Sequence, residues 1–214
     1  MLINIEGVDG TGKNTQTKKL YEYLVNKGYK CKLVSFPNYE SGSSMPVKMY
    51  LNGDLGDNVD ALDPYQTSVL FAVDRLLTMK QIAVSKYDYI LFDRYVGSNM
   101  VHQASRYKEA EKFLAYLEWA DKFEFETLGL PRPDKVLFLD MPIEMSLELK
   151  RARTELKNGM SQDIMEKDEE KLITSSKTAK KVADMFGWIR IDCGQNKLKS
   201  IDEIHEDILT KLGV

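Results

Sequence analysis

The chain has 214 residues, enough for one domain with a full hydrophobic core. Hydrophobic residues make up 43% and charged residues 29%, which excludes a disordered or fibrous chain. A formal net charge of -3 argues against general attraction to nucleic acid, so no nucleic-acid partner is expected and an anionic ligand must meet a local positive site.

Residues 2–6 (LINIE) read as a buried strand. A helical pattern follows over 15–27, with Leu20, Leu24 and Val25 on one side and Gly28 as its stop. Residues 32–36 are a second strand, ended by Pro37. A long helix is predicted over 64–86, carrying Val69, Leu70, Val73, Leu76 and Leu77. Residues 89–93 are a third strand, and 99–128 read as mostly helical. The GLPRP segment at 129–133 breaks that pattern before a fourth strand at 136–140. Pro142 starts another helix. The polar stretch 154–163 has no apolar period and reads as an exposed lid loop. A short fifth strand at 189–192 and a helix near 201–212 complete the chain.

Strands alternating with helices imply a parallel sheet covered on both faces, with ligands at the strand C-terminal ends. Three segments follow predicted strand ends: 7–15, 36–39 and 93–95. Cys31 and Cys193 lie far apart and suggest neither a disulfide nor a zinc site. Glu6 interrupts the first apolar run, no basic segment precedes it, and no apolar stretch approaches the roughly 20 residues of a membrane span. The protein is expected in the cytoplasm, away from membranes.

Gly7-Val8-Asp9-Gly10-Thr11-Gly12-Lys13 matches G-x-x-x-x-G-K, and it stands between the first strand and the first helix. Its glycines let main-chain N–H groups turn inward around a phosphate. The helix aims its positive end at the same anion, and Lys13 adds an ammonium. The next residue is Asn14, with Thr15 after it, where a Ser or Thr usually ligates magnesium.

Further segments follow in order: Phe36-Pro37; LFAVDR at 70–75; Phe92-Asp93-Arg94-Tyr95 with Ser98 and Asn99; LPRPD at 130–134; and Asp163 with Glu166. Together with IEGVDGTGK this series resembles the thymidylate kinases over nearly the whole chain. The resemblance is closest to bacterial members, which also lack Ser or Thr at the position of Asn14.

The resemblance implies a single-domain (1–214) three-layer α/β/α P-loop NTPase fold, with a five-stranded parallel sheet, a P-loop at 7–15 and a short helical lid at about 151–166. It implies transfer of the γ-phosphoryl group of ATP to dTMP; dUMP or another nucleoside monophosphate is the alternative acceptor. ATP would be held by Gly7, Val8, Asp9, Gly10, Thr11, Gly12, Lys13, Asn14 and Thr15. Arg94 would grip the acceptor phosphate, and Asp93 would order magnesium or its waters. Asp9 and Glu166 would serve the metal, Asp9 also the sugar. Phe71 would stack on the base, Arg75 would donate to its carbonyl, and Asn99 would bond its Watson–Crick edge. Phe36, Tyr39, Ser98 and His102 complete the acceptor site. His102 replaces a tyrosine that disfavours a 2′-hydroxyl, and Asn38 replaces an arginine. Gly10 stands where one group of relatives carries the catalytic arginine, so the lid would supply it, from Arg153 or Arg151. A homodimer through the helix of Leu76, Leu77 and Met79 is expected.

Overall fold

The structure is a computed structural model describing residues 1–56, 58, 60–156, 169–195 and 197–214, without the side chains at 153–156 and 169. Among the described residues five parallel strands form one sheet: β1 (Leu2–Glu6), β2 (Cys31–Ser35), β3 (Tyr89–Asp93), β4 (Lys135–Asp140) and β5 (Ile189–Asp192). Their order is β2-β3-β1-β4-β5, which places β1 at the centre. Ile5 pairs with Asp93 and Asp93 with Ser35, so β1, β3 and β2 end level. The loops that follow them therefore meet on one edge.

Among the described residues eight helices flank the sheet: α1 (Lys13–Asn26), α2 (Met45–Asn52), α3 (Pro64–Lys80), α4 (Val96–His102), α5 (Ala110–Asp121), α6 (Ile143–Leu156), α7 (Glu169–Met185) and α8 (Ile201–Leu212). Alternation along β1 divides the core. Ile3 and Ile5 face Leu20 and Leu24 of α1 and Ile204 and Ile208 of α8. Leu2 faces the other way, among Met100, Phe113, Tyr116, Leu117 and Val182 of α4, α5 and α7. Each such buried aliphatic side chain stabilises the fold by roughly 1.5–3 kcal/mol. A satellite cluster joins Val47, Tyr50 and Leu51 of α2 to Leu70 and Phe71 of α3.

The predicted strands agree within a residue, and several helices differ. The long helix stops at Lys80 rather than at 86: Ile82 turns back onto the core, and an exposed short turn follows at Val84–Lys86. The predicted helix over 99–128 is two helices, α4 and α5, separated by a turn at Ala104–Arg106 and followed by a π-helical turn at Lys122–Thr127. Helix α2 lies in a stretch without a sequence prediction. The lid expected at 151–166 begins in α6; residues 157–168, with Glu166, lie outside the described residues.

Candidate active site

The site begins at the end of β1. Helix α1 opens on Gly12, which adopts a left-handed conformation (φ +81°), and no side chain caps it. Helices α3 and α8 differ: Asp63 with Gln66, and Ser200 with Glu203, close their N-termini in capping boxes. At α1 the first-turn N–H groups are thus left for an external anion. Lys13 is buried in the loop and donates to the Val8 carbonyl at 2.7 Å. Burial, with Arg94 nearby, pulls its ammonium pKa down to about 8, against the pull of Asp9, Asp93 and Glu6.

Across the loop, Arg94 follows β3. Its φ is +65°, in the left-handed region that few non-glycine residues occupy. The guanidinium is ion-paired with Asp9, donates to Ser98 Oγ at 3.2 Å, and lies 3.3 Å from His102 Nε2. An arginine only donates, so Nε2 is the acceptor and His102 is neutral. Burial and the neighbouring Arg94 charge push the His102 pKa down to about 4, in keeping with that role. Burial by itself would raise the Asp9 carboxyl; the Arg94 and Lys13 charges override it and hold the group well below the usual carboxylate range. Asn14 Nδ2 donates to Asp93 Oδ2 at 3.0 Å and ties α1 to the end of β3.

Glu6 underlies this arrangement, and the sequence reading assigned it no role. It is buried in β1 and accepts from Tyr95 N (2.9 Å), Ser98 Oγ (2.8 Å) and Asn4 Nδ2 (2.9 Å). Ser98 thereby links a buried carboxylate to Arg94. A second buried carboxylate, Glu124, binds Arg75 through both oxygens and also accepts from Asn99 Nδ2. The signal for Glu6 was a carboxylate within an apolar strand. For Glu124 it was position: Phe113, Tyr116, Leu117 and Ala120 form the buried stripe of α5, and 124 continues it.

The remaining expected residues are distributed unevenly. Asp9, Lys13, Asn14, Asp93, Arg94, Ser98 and His102 converge on the strand-end edge. Arg75 and Asn99 are buried together on Glu124. Phe71 is half-buried, edge-on to Tyr50. Phe36 is only 4% exposed and packs against Phe92 and Tyr95, so its ring belongs to the core rather than to an open surface. Tyr39 is half exposed. Arg151 is exposed on α6, and the Arg153 side chain lies outside the described residues. A small cleft opens beside Asp9, lined also by Tyr50, His102, Gln103 and Leu172.

This edge presents an anion-ready helix N-terminus facing an arginine held by carboxylates, an arrangement suited to aligning two phosphates. The sequence profile described as thymidylate kinase matches residues 5–208. The chain is 35% identical to the thymidylate kinase of Mycobacterium tuberculosis over 175 residues, 79% of each chain. It is 30% identical to a probable thymidylate kinase of Pyrococcus horikoshii, over 97% of this chain and 93% of the other. Among solved structures, Candida albicans thymidylate kinase shares the fold with a TM-score of 0.72 at 21% identity, covering 99% of this chain and 90% of that one. A deoxyadenosine kinase from M. mycoides does so with a TM-score of 0.67 at 17% identity, covering 100% and 99%. On the match over residues 5–208, the chain belongs to the thymidylate kinase family.

Proposed function

We propose that the protein transfers the γ-phosphoryl group of ATP to dTMP, giving dTDP and ADP. One observation carries the reading: the uncapped start of α1 with Lys13 shares a sheet edge with the Asp9–Arg94 pair. An acceptor phosphate is already an ionised nucleophile, so positioning and charge neutralisation suffice and no general base is needed. Lys13 exchanges the Val8 carbonyl for the donor's β- and γ-phosphates. Arg94 exchanges Asp9 for two oxygens of the acceptor phosphate, which its planar fork fits. Ser98 and neutral His102 hold the guanidinium in place without competing charge. Asp9, released, turns to the sugar hydroxyl or the metal.

Magnesium accompanies ATP in this reading. Mg²⁺ keeps several waters and uses one or two carboxylates beside phosphate, a demand that Asp93 and Asp9 meet. Asn14 spends its Nδ2 on Asp93, which leaves Oδ1 for a bound water. When bound, the ion neutralises charge on the transferring phosphates. Glu166, the other ligand expected from sequence, lies outside the described residues.

The Lys13 shift gives a pH dependence. Its folded-state pKa is depressed to about 8, so the free enzyme carries the ammonium below that value and loses it above. Phosphate binding favours the charged form. ATP affinity is therefore expected to be highest below pH 8 and to fall as pH rises through it, with proton uptake on binding. Calorimetric titration in buffers of different ionisation enthalpy checks this. A pH-independent Kd across that range removes Lys13 as the titrating contact.

ADP release coupled to NADH oxidation, with a panel of monophosphates, tests the function. The highest kcat/KM is expected for dTMP, with dCMP poor and UMP disfavoured less strongly than a tyrosine at the His102 position would allow. Comparable values for UMP and dTMP would overturn the deoxy preference, and no turnover of any monophosphate would overturn the kinase reading. The reading extends to a cytoplasmic homodimer. Both cysteines are free thiols, and no helix among the described residues is long and apolar enough to cross a membrane. On α3, Val69 and Leu77 are exposed and lie near one stripe, whereas Met79 is buried in the core and is withdrawn from the expected contact set.

A further inference from the structure

Three side chains from separate elements meet in the interior. Glu124, in the turn after α5, is fully buried, and its Oε2 accepts from Arg75 Nε at 2.5 Å. Its Oε1 accepts twice, from Arg75 Nη2 at 2.6 Å and from Asn99 Nδ2 at 3.0 Å. Asn99 Nδ2 also donates to the Ser68 carbonyl at 3.2 Å. We propose that Glu124 sets the base preference of the acceptor site. It fixes Arg75 and Asn99 in a single hydrogen-bonding polarity, one that takes a 4-oxo pyrimidine and refuses a 4-amino pyrimidine. The inference rests on the reading of Arg75 and Asn99 as base contacts.

A carboxylate and a main-chain carbonyl only accept, so the Asn99 amide must turn its NH₂ toward both. Its Oδ1 is left as an acceptor. Arg75 only donates; Nε and Nη2 are spent on Glu124, and Nη1 has only a long 3.5 Å contact with the Tyr95 carbonyl. The two residues meet at one oxygen of Glu124, so the pair offers a guanidinium donor beside an amide acceptor. Thymine and uracil present the complement, an O4 acceptor beside an N3–H donor. Cytosine presents an amino donor and a bare N3, opposed at both positions. Without the glutamate only the longer 3.2 Å bond to the Ser68 carbonyl orients the Asn99 amide, so its half of the discrimination weakens. Glu124 is on this account a positioning residue that acts through Arg75 and Asn99.

The test is acceptor kinetics with dTMP, dUMP and dCMP for the unchanged chain, Glu124→Gln and Glu124→Asp. In Glu124→Gln the dTMP-to-dCMP ratio of kcat/KM is expected to fall by about tenfold, the size of one hydrogen bond. The dUMP value should move with dTMP. A purely structural defect would lower all three acceptors together and leave the ratio alone. Glu124→Gln strands a buried guanidinium and risks misfolding. Glu124→Asp keeps the charge, but one methylene shorter it does not reach both partners, and its ratio is expected to fall in the same direction. Either variant, folded by its melting curve yet with an unchanged ratio, overturns the inference and leaves the dTMP kinase reading standing. An unchanged chain that shows no preference for dTMP over dCMP overturns that reading, and the inference with it.

Discussion

Replacement of Arg94 by alanine is expected to lower kcat/KM for dTMP by roughly 10²–10³-fold, with little change in KM for ATP. Two charge-assisted hydrogen bonds to the acceptor phosphate are worth about 1.5–3 kcal/mol each, and about 3–4 kcal/mol in all gives that range. The backbone does not confuse the result. Position 94 has φ +65°, and alanine has the same Cβ as arginine, so the substitution leaves the conformational cost unchanged. What is lost in the free protein is the partly exposed ion pair with Asp9, on which the Lys13 charge also acts, together with the contacts to Ser98 and His102. Arg94→Lys keeps the charge and loses the fork, so it should recover only part of the rate. Steady-state kinetics with each substrate varied checks all of this. A loss of only a few-fold in Arg94→Ala would remove the residue from the acceptor clamp.

The strand ends were legible because the chemistry there is local. A glycine-rich loop between an apolar strand and a helix can be read from adjacent residues, and so can Asp93-Arg94 after the third strand. The partners of those residues were not legible, because they lie far away in sequence. Glu6 supports Arg94 through Ser98 across 92 positions, and Glu124 reaches Arg75 across 49. Glu6 read as a polar interruption and Glu124 drew no reading, until the fold showed that each accepts several buried bonds. Helix ends failed for a related reason. The turn between α4 and α5 packs against α7, and the π-helical turn after α5 buries Glu124; a 3.6-residue period carries neither. At Phe36 the motif position suggested a ligand contact, and the structure adds that the ring packs against Phe92 and Tyr95.

The other large effect is expected at the start of the lid, where Arg153→Ala should lower kcat by roughly 10³-fold with both KM values little changed, as for an arginine that stabilises charge on the transferring phosphoryl. The P-loop has no room to supply that charge at position 10. Gly10 has φ +89°, and a Cβ there would stand 2.4 Å from the Ser146 carbonyl oxygen in the first turn of α6. Ser146 Oγ also donates to the Asp9 carbonyl, which fixes α6 against the loop. From that contact the helix register selects among the basic residues. Positions 146, 150 and 153 follow the i, i+4, i+7 spacing of one face, while 151 is turned away and exposed. Lys150 already acts on Asp9 electrostatically, in keeping with that face running beside the site. Position 153 stands about 10 Å further along α6 than Ser146. Arg151→Ala is accordingly expected to retain most of its activity. Gly10→Arg, which moves the charge to the loop, should destabilise the fold rather than rescue Arg153→Ala. Single-turnover rates for the three variants separate the cases: near-normal chemistry in Arg153→Ala, or a collapse in Arg151→Ala, would assign the charge to another residue.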